Sequence, residues 1–208
     1  TMVVAGHETV AAALAWTLML LAEDQPAQDR LRAEVRGHDG PVSMVGAAES
    51  LPWTRAVIDE SLRLFPPAWV LSRRSSQHDL IGDQQVPSGT TAIISPWLLH
   101  RREESWPRAD EFRPDRFLHT GTRPPPHGAA ALAAAGPRLC IGREFALGEM
   151  TIVLSELLAH HRVSTPGGWS RPRPQAHVAV HPRGGMPLRV TPCPMTPSLV
   201  DPVPVRSP

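Results

Sequence analysis

Among the residues able to do chemistry, Cys140 comes first. It stands in the run Gly136-Pro-Arg-Leu-Cys-Ile-Gly142, two residues after Arg138 and directly ahead of a helical pattern over residues 144–158. Backbone N–H groups at a helix start and the helix dipole both favour an anion there, and Arg138 adds positive charge, so the thiol is placed to ionise. Gly136 permits a turn with positive φ, and Gly142 lets something flat lie close to the backbone. A soft anionic ligand beneath a flat partner points to haem iron held by cysteine, the ligation that pushes electron density toward O–O cleavage. A buried cysteine that merely packs is the commoner fate of a lone thiol. The run alone leaves both readings open.

Two further groups of residues carry chemistry. In Ala5-Gly6-His7-Glu8-Thr9 a hydroxyl stands beside an acid, a pair that can hold a water and pass protons, with small residues leaving room for a ligand. The plain alternative is a polar interruption of an apolar helix. His7-Glu8 does not begin a zinc-protease motif, because the second histidine position is Ala11. Glu60 and Arg63 stand three apart and share a helix face, as a buried pair or as an exposed ion pair. His160 and His161 are adjacent and point two ways, which makes them a poor metal pair.

Taken together and in order, these segments resemble the cytochrome P-450 (haem-thiolate monooxygenase) family. Ala5-Gly6-His7-Glu8-Thr9 resembles its oxygen-activation motif on a long central helix, and Glu60-Ser-Leu-Arg63 its Glu-x-x-Arg. Phe112-Arg-Pro114-Asp-Arg116-Phe117 resembles its meander, and Gly136-x-Arg138-x-Cys140-x-Gly142 its cysteine loop. The resemblance extends from Thr1 to about Val190 and implies a C-terminal portion of the fold, mainly α with small antiparallel β-sheets. It implies haem b (iron protoporphyrin IX) with Cys140 as axial iron ligand, Gly142 beside the ring, and Arg138 and Arg73 as propionate partners, a task suited to an arginine fork. It implies proton delivery by Thr9 and Glu8, and a network of Glu60, Arg63 and Arg116 behind the haem that sets geometry more than stability. Ala5, Ala68, Trp69 and Val70 are placed at the substrate pocket.

The activity so implied is insertion of one oxygen atom of dioxygen into a C–H bond of a small hydrophobic organic substrate. No Gly-x-Gly-x-x-Gly loop follows a strand pattern, so electrons are expected from a separate ferredoxin- or flavodoxin-type protein with its reductase. The family's aromatic position before the cysteine holds Ala133, followed by Ala134, and the second residue of the usual Thr-Thr pair is Val10. A degenerate haem-binding or interaction module without turnover is therefore the alternative. The chain opens inside a helix motif, so an N-terminally truncated piece of a bacterial-type protein is expected.

The positioning elements follow from pattern. Residues 1–22, rich in Ala and Leu, read as a helix. It is apolar on most of its circumference and so needs partners on several sides, more than the remaining elements are expected to supply. Asp24-Gln-Pro26 ends it and starts a short amphipathic helix over 27–35. Residues 37–50 read as a loop or weak helix, and 53–64 as a helix ended by Pro66-Pro67. Residues 69–94 switch to short apolar runs between turns at Gly82-Asp83 and Pro87-Ser-Gly89, a small antiparallel sheet. A short helix over 95–102, a proline-rich meander over 106–128 and a long helix from Cys140 to about His160 come next. Residues 177–180 and 188–190 are expected to form a closing hairpin. Residues 1–190 are read as one partial domain and 191–208 as a proline-rich, disordered tail.

Composition narrows the function classes. A hydrophobic fraction of 41% with 20% charged residues is that of a soluble globular protein. A net charge of +1 leaves no broad electrostatic footprint for nucleic acid. The longest apolar stretch, residues 10–22, is short for a membrane span and contains Thr17. With two cysteines, one the expected iron ligand, a reducing compartment and cytoplasmic location are expected.

Overall fold

The structure is a computed structural model that describes residues 2–44, 46, 50–118 and 139–194, with residues 2–5 given as backbone only. Helix α1 spans Met2–Glu23. It ends where the Asp24 N–H donates to Leu20 O at 2.9 Å and the Asp24 carboxylate turns to cap the next helix, accepting the Ala27 N–H at 3.0 Å. That helix, α2 (Gln25–Arg36), carries Pro26 in its first turn, as the sequence leads one to expect. Helix α3 covers Pro52–Leu64. The N–H groups of Trp53 and Thr54 in its first turn, which lack partners within the helix, are taken up by Glu34 of α2 at 2.7 and 2.8 Å, so one helix caps another.

Two nested ribbons follow, rather than the single sheet expected over 69–94. Strand β1 (Leu71–Arg74) pairs antiparallel with β4 (Thr91–Ile94), and β2 (Asp79–Ile81) with β3 (Gln84–Val86), each a separate two-stranded sheet. The tight turn at Gly82-Asp83 closes the inner hairpin. A second turn at Pro87–Gly89 separates it from β4. A short helix α4 (Pro96–Leu99) and a 3₁₀ turn (Pro114–Phe117) lead to residues 119–138, which lie outside the described residues.

Helix α5 (Arg143–His160) opens three residues after Cys140 and runs directly into β5 (His161–Ser164). Arg32 of α2 donates to Leu158 O and His161 O at 3.0 Å each, and Arg36 to Ala159 O at 2.9 Å. Arginines of α2 thus satisfy carbonyls that the end of α5 leaves open.

The expected closing hairpin is corrected. Strand β6 (Pro174–Ala176) pairs with β7 (Val180–Pro182), whereas β8 (Arg189–Pro192) crosses to pair with β5. Residues 177–179 close a tight turn, with His177 N–H bonded to Ala179 O at 3.0 Å, so 177–180 cannot serve as one straight strand. Gly184 and Gly185, at φ 80 and 93°, turn the chain away from β7 before β8 begins. Strand β8 runs to Pro192, and the Cys193 N–H that follows donates to His160 O at 2.7 Å. Residues 195–208 of the expected tail lie outside the described residues.

The core gathers on α1. Val10, Ala13 and Leu21 pack with Leu31, Trp53, Val57, Ile58, Leu147, Met150, Leu154 and Leu158. On its other side Trp16, Met19 and Leu20 pack with Leu64, Phe65 and Val180, Trp16 stacking on Phe65 at 4.1 Å between ring centroids. Helices α2, α3 and α5 and strands β5 and β7 all contact α1. The expectation that this chain lacks enough elements to surround α1 is thus corrected. From Val10 onward the helix is largely enclosed, and Thr17 is satisfied by Ala13 O at 2.7 Å and Ser61 Oγ at 2.8 Å. The result is mainly helical with small antiparallel sheets.

Candidate functional site

Residue spacing on α3 sets the best-determined part of the site. Glu60 and Arg63, one turn apart, have side chains with 0% exposure and pair through Nε–Oε2 at 2.7 Å and Nη2–Oε1 at 2.9 Å. Arg63 Nη1 donates to His100 O and Ala109 O at 2.7 Å each, and Nη2 to Glu111 O at 3.2 Å. All five N–H bonds of the guanidinium are thereby used, which is how a full charge can sit in the interior. Glu60 Oε1 also accepts from the Arg113 backbone N–H at 2.8 Å and from Arg116 Nε at 3.1 Å. Burial lowers the Arg116 pKa and the Glu60 carboxylate opposes it. The guanidinium and the carboxylate together thus tie the segment 100–116 to α3.

The sequence reading missed several members of this cluster. His100 Nδ1 lies 3.0 Å from Arg63 O while its Nε2 is buried without a partner among the described residues, and its ring meets Trp106 edge-on. Burial pushes the His100 pKa down to about 4. Arg101 donates to Leu64 O at 2.5 Å and lies 3.6 Å over the Trp97 ring. Arg108 holds a left-handed φ of 54°, fixed by Glu103, which accepts the N–H groups of Arg108 and Ala109 at 2.9 and 3.0 Å. These partners are mostly backbone groups, and backbone groups carry no residue-type signal.

Helix α3 also lies against α5 and therefore near the cysteine. Asp59, next to Glu60, bonds Arg55 at 2.8 Å and feels the charges of Arg143 and Glu144 in the first turn of α5. Burial raises the Asp59 pKa against the pull of Arg55. Cys140 itself is exposed, and its carbonyl accepts the Arg143 N–H at 3.3 Å as the helix begins. Apolar side chains bracket it: Ile141 is 94% exposed and Phe145 66%, with Leu139 also in the open. A Cβ added at Gly142 would meet nothing within 4 Å. An accessible soft donor, a clear backbone approach and an uncovered apolar rim fit a flat apolar ring held by one sulfur. No group of three His, Cys, Asp or Glu residues that could hold a bare metal ion occurs among the described residues. Arg138, Ala133 and Ala134 lie outside the described residues.

The other expected site residues divide. Glu8 and Thr9 are half-buried on α1 just ahead of Val10, which shares a core with Leu147 and Met150 of α5. Glu8 Oε1 lies 2.9 Å from His181 Nε2, a partner on β7 that no local pattern indicated. Trp69 and Val70 are half-buried and Ala68 is exposed. The Trp69 indole donates to His177 O at 3.1 Å, which ties this segment to the 177–179 turn. Arg73 is exposed and donates to the carbonyl of its neighbour Ser72 at 2.8 Å. Only backbone is described at Ala5.

Comparison with known proteins decides the family. The cytochrome P450 family model matches residues 1–188. The chain belongs to the cytochrome P450 family. Cyclooctatin synthase of Streptomyces melanosporofaciens is 35% identical over 184 residues, which is 88% of this chain and 40% of that protein. A cytokinin hydroxylase of Arabidopsis thaliana is 38% identical over 193 residues, 90% of this chain and 36% of that protein. A crystal structure of a six-coordinated cytochrome P450 from Thermus thermophilus superposes with a TM-score of 0.73 at 37% identity, covering 91% of this chain and 46% of that one. The chain thus spans about two fifths of the length of the curated P450 relatives it matches. It corresponds to a C-terminal portion of the P450 fold. Among the described residues no helix is long and apolar enough to cross a membrane.

Proposed function

We propose that this chain is the haem-thiolate portion of a P450 monooxygenase that oxidises a small hydrophobic organic substrate. The carrying observation is Cys140, exposed at the start of α5, beside a helix whose buried Glu60–Arg63–Arg116 network fixes the neighbouring chain. When bound, haem b supplies the redox chemistry by which one oxygen atom of dioxygen enters a C–H bond. The chain's own part is positional and protonic. Cys140 offers its sulfur from the exposed turn that leads into α5. Leu139, Ile141 and Phe145 offer apolar surface to a ring, and Gly142 leaves it room. Arg138 and Arg73 are the candidates for pairing with its carboxylates. The Thr9 hydroxyl holds a water, and Glu8 holds a proton beside it. Ala5, Ala68, Trp69 and Val70 are the candidates for contact with the substrate. Electrons come from a separate ferredoxin- or flavodoxin-type protein.

Ala133, in place of an aromatic residue, favours one rival: a module that binds haem without turnover. Carbon monoxide difference spectra and product analysis of the haem-loaded, reduced chain separate the two. A thiolate-type band with oxidised product supports the monooxygenase. The same band without product supports the rival, and no haem binding rejects both.

A further inference from the structure

Two indoles hold the hairpin β6–β7, Trp16 tying it to α1 and Trp69 tying its turn to the segment ahead of β1. Trp16 Nε1 donates to Val180 O at 2.8 Å, and Trp69 Nε1 donates to His177 O at 3.1 Å. Trp16 is fully buried and stacked on Phe65, so the anchor is rigid. The residue following Val180 is His181, and its Nε2 lies 2.9 Å from Glu8 Oε1. A carboxylate can only accept, so the ring donates through Nε2–H. Both side chains are 31% exposed, which leaves the pair open to water on one side. A second imidazole, His177, stands 6.4 Å from His181 between ring centroids, further along the hairpin. The fold therefore joins residues 173 positions apart and sets a proton carrier on the acid next to Thr9.

We propose that His181 is the positioning and proton-supply residue of Glu8, making the carboxylate–imidazole pair the inlet through which solvent protons reach the acid beside Thr9. This role rests on the monooxygenase reading, since only a reaction that consumes protons needs the supply. The imidazolium gives its Nε2 proton to Glu8 Oε1, leaving a neutral ring and a carboxylic acid. Nδ1 keeps its proton, and once Glu8 has passed its own proton on, solvent water at the part-exposed edge of the pair reprotonates the vacated Nε2. One proton passes from solvent to Glu8 and no electron moves. Histidine suits the task because its charge changes near neutrality.

The test has two readouts. In ¹⁵N-histidine spectra of the 208-residue chain, Glu8→Gln shifts the His181 Nε2 signal, because that N–H loses its carboxylate acceptor. An unchanged His181 signal overturns the proposal. In the haem-loaded chain, His181→Ala lowers product formed per reducing equivalent roughly tenfold or more, with peroxide released instead, and added imidazole restores it. His181→Gln keeps an N–H toward Glu8 but carries no proton, so it falls likewise. Wild-type coupling in His181→Gln reduces the residue to a structural prop and overturns the supply role alone. A wild-type chain with no thiolate spectrum, or with no turnover, overturns the monooxygenase reading and His181's role with it.

Discussion

Glu60 receives four hydrogen bonds from Arg63, Arg113 and Arg116, and its removal would leave the buried Arg63 guanidinium without its carboxylate and one backbone N–H without an acceptor. Breaking one side of such a pair leaves an uncompensated charge, so Glu60→Ala should cost about 3–5 kcal/mol. Urea unfolding of the variant beside wild type reads this directly. A loss under about 1 kcal/mol, the scale of an exposed pair, would contradict the buried geometry. His100 gives the pH dependence. Its pKa falls from 6.5 to about 4 on burial, so the unfolded chain takes a proton over that interval and the folded chain does not. Stability from this group is complete above about pH 6.5 and is lost as pH falls toward 4, about 3 kcal/mol in all. Denaturation midpoints between these limits should flatten in His100→Gln. The Glu60–Arg63 spacing was legible because both residues fall on one helix face. His100 was not, since its partners are the Arg63 carbonyl and the Trp106 ring, brought close only by the chain reversal between α3 and the meander.

At the scale of elements, α5 depends on close approach. A Cβ at Gly148 would lie 3.0 Å from Met44 O and 3.3 Å from Met44 Sδ. Alanine is the better helix former by about 1 kcal/mol, yet crowding against a backbone carbonyl costs about 1–3 kcal/mol. Gly148→Ala should therefore lower the thermal midpoint, and a raised midpoint would show that the 44 region gives way freely. Helix positions were readable from period and caps, as at Asp24-Gln-Pro26, because those signals are local. Strand partners were not. Segments such as Pro174–Ala176 and Arg189–Pro192 are three or four residues long, carry prolines and lack alternation, so their pairing is set by the turns at 177–179 and at Gly184-Gly185. Glu34 capping α3 and Arg32 closing α5 were equally hidden, since each satisfies backbone groups of a distant helix.

Across the whole molecule, the apolar load is unevenly covered. Helix α1 is enclosed by α2, α3, α5, β5 and β7, whereas Ile141, Phe145, Leu139 and the ribbon residues Leu80, Ile81 and Ile93 stand in the open. Exposed apolar surface of this kind promotes association. The chain without haem should scatter light as an associating species, and haem binding should reduce the scattering by covering the rim at Cys140. Scattering that is the same with and without haem would place the ring elsewhere. The family motifs were legible across almost the whole chain because they are contiguous and ordered. The enclosure of α1 was not, since a circumferentially apolar helix does not itself reveal which elements surround it.

The central claim is that Cys140 holds the iron, and one comparison tests it. Reduced, carbon monoxide-treated, haem-loaded chains carrying Cys140→Ser or Cys193→Ser are recorded beside wild type. Cys193 is held by His160 and Arg36 at the C-terminal end of α5, the opposite end from Cys140, so its thiol is expected to have no part in ligation. The account predicts that the thiolate-type band disappears in Cys140→Ser and persists in Cys193→Ser. Loss in the Cys193 variant alone, or the same band in both, would contradict it.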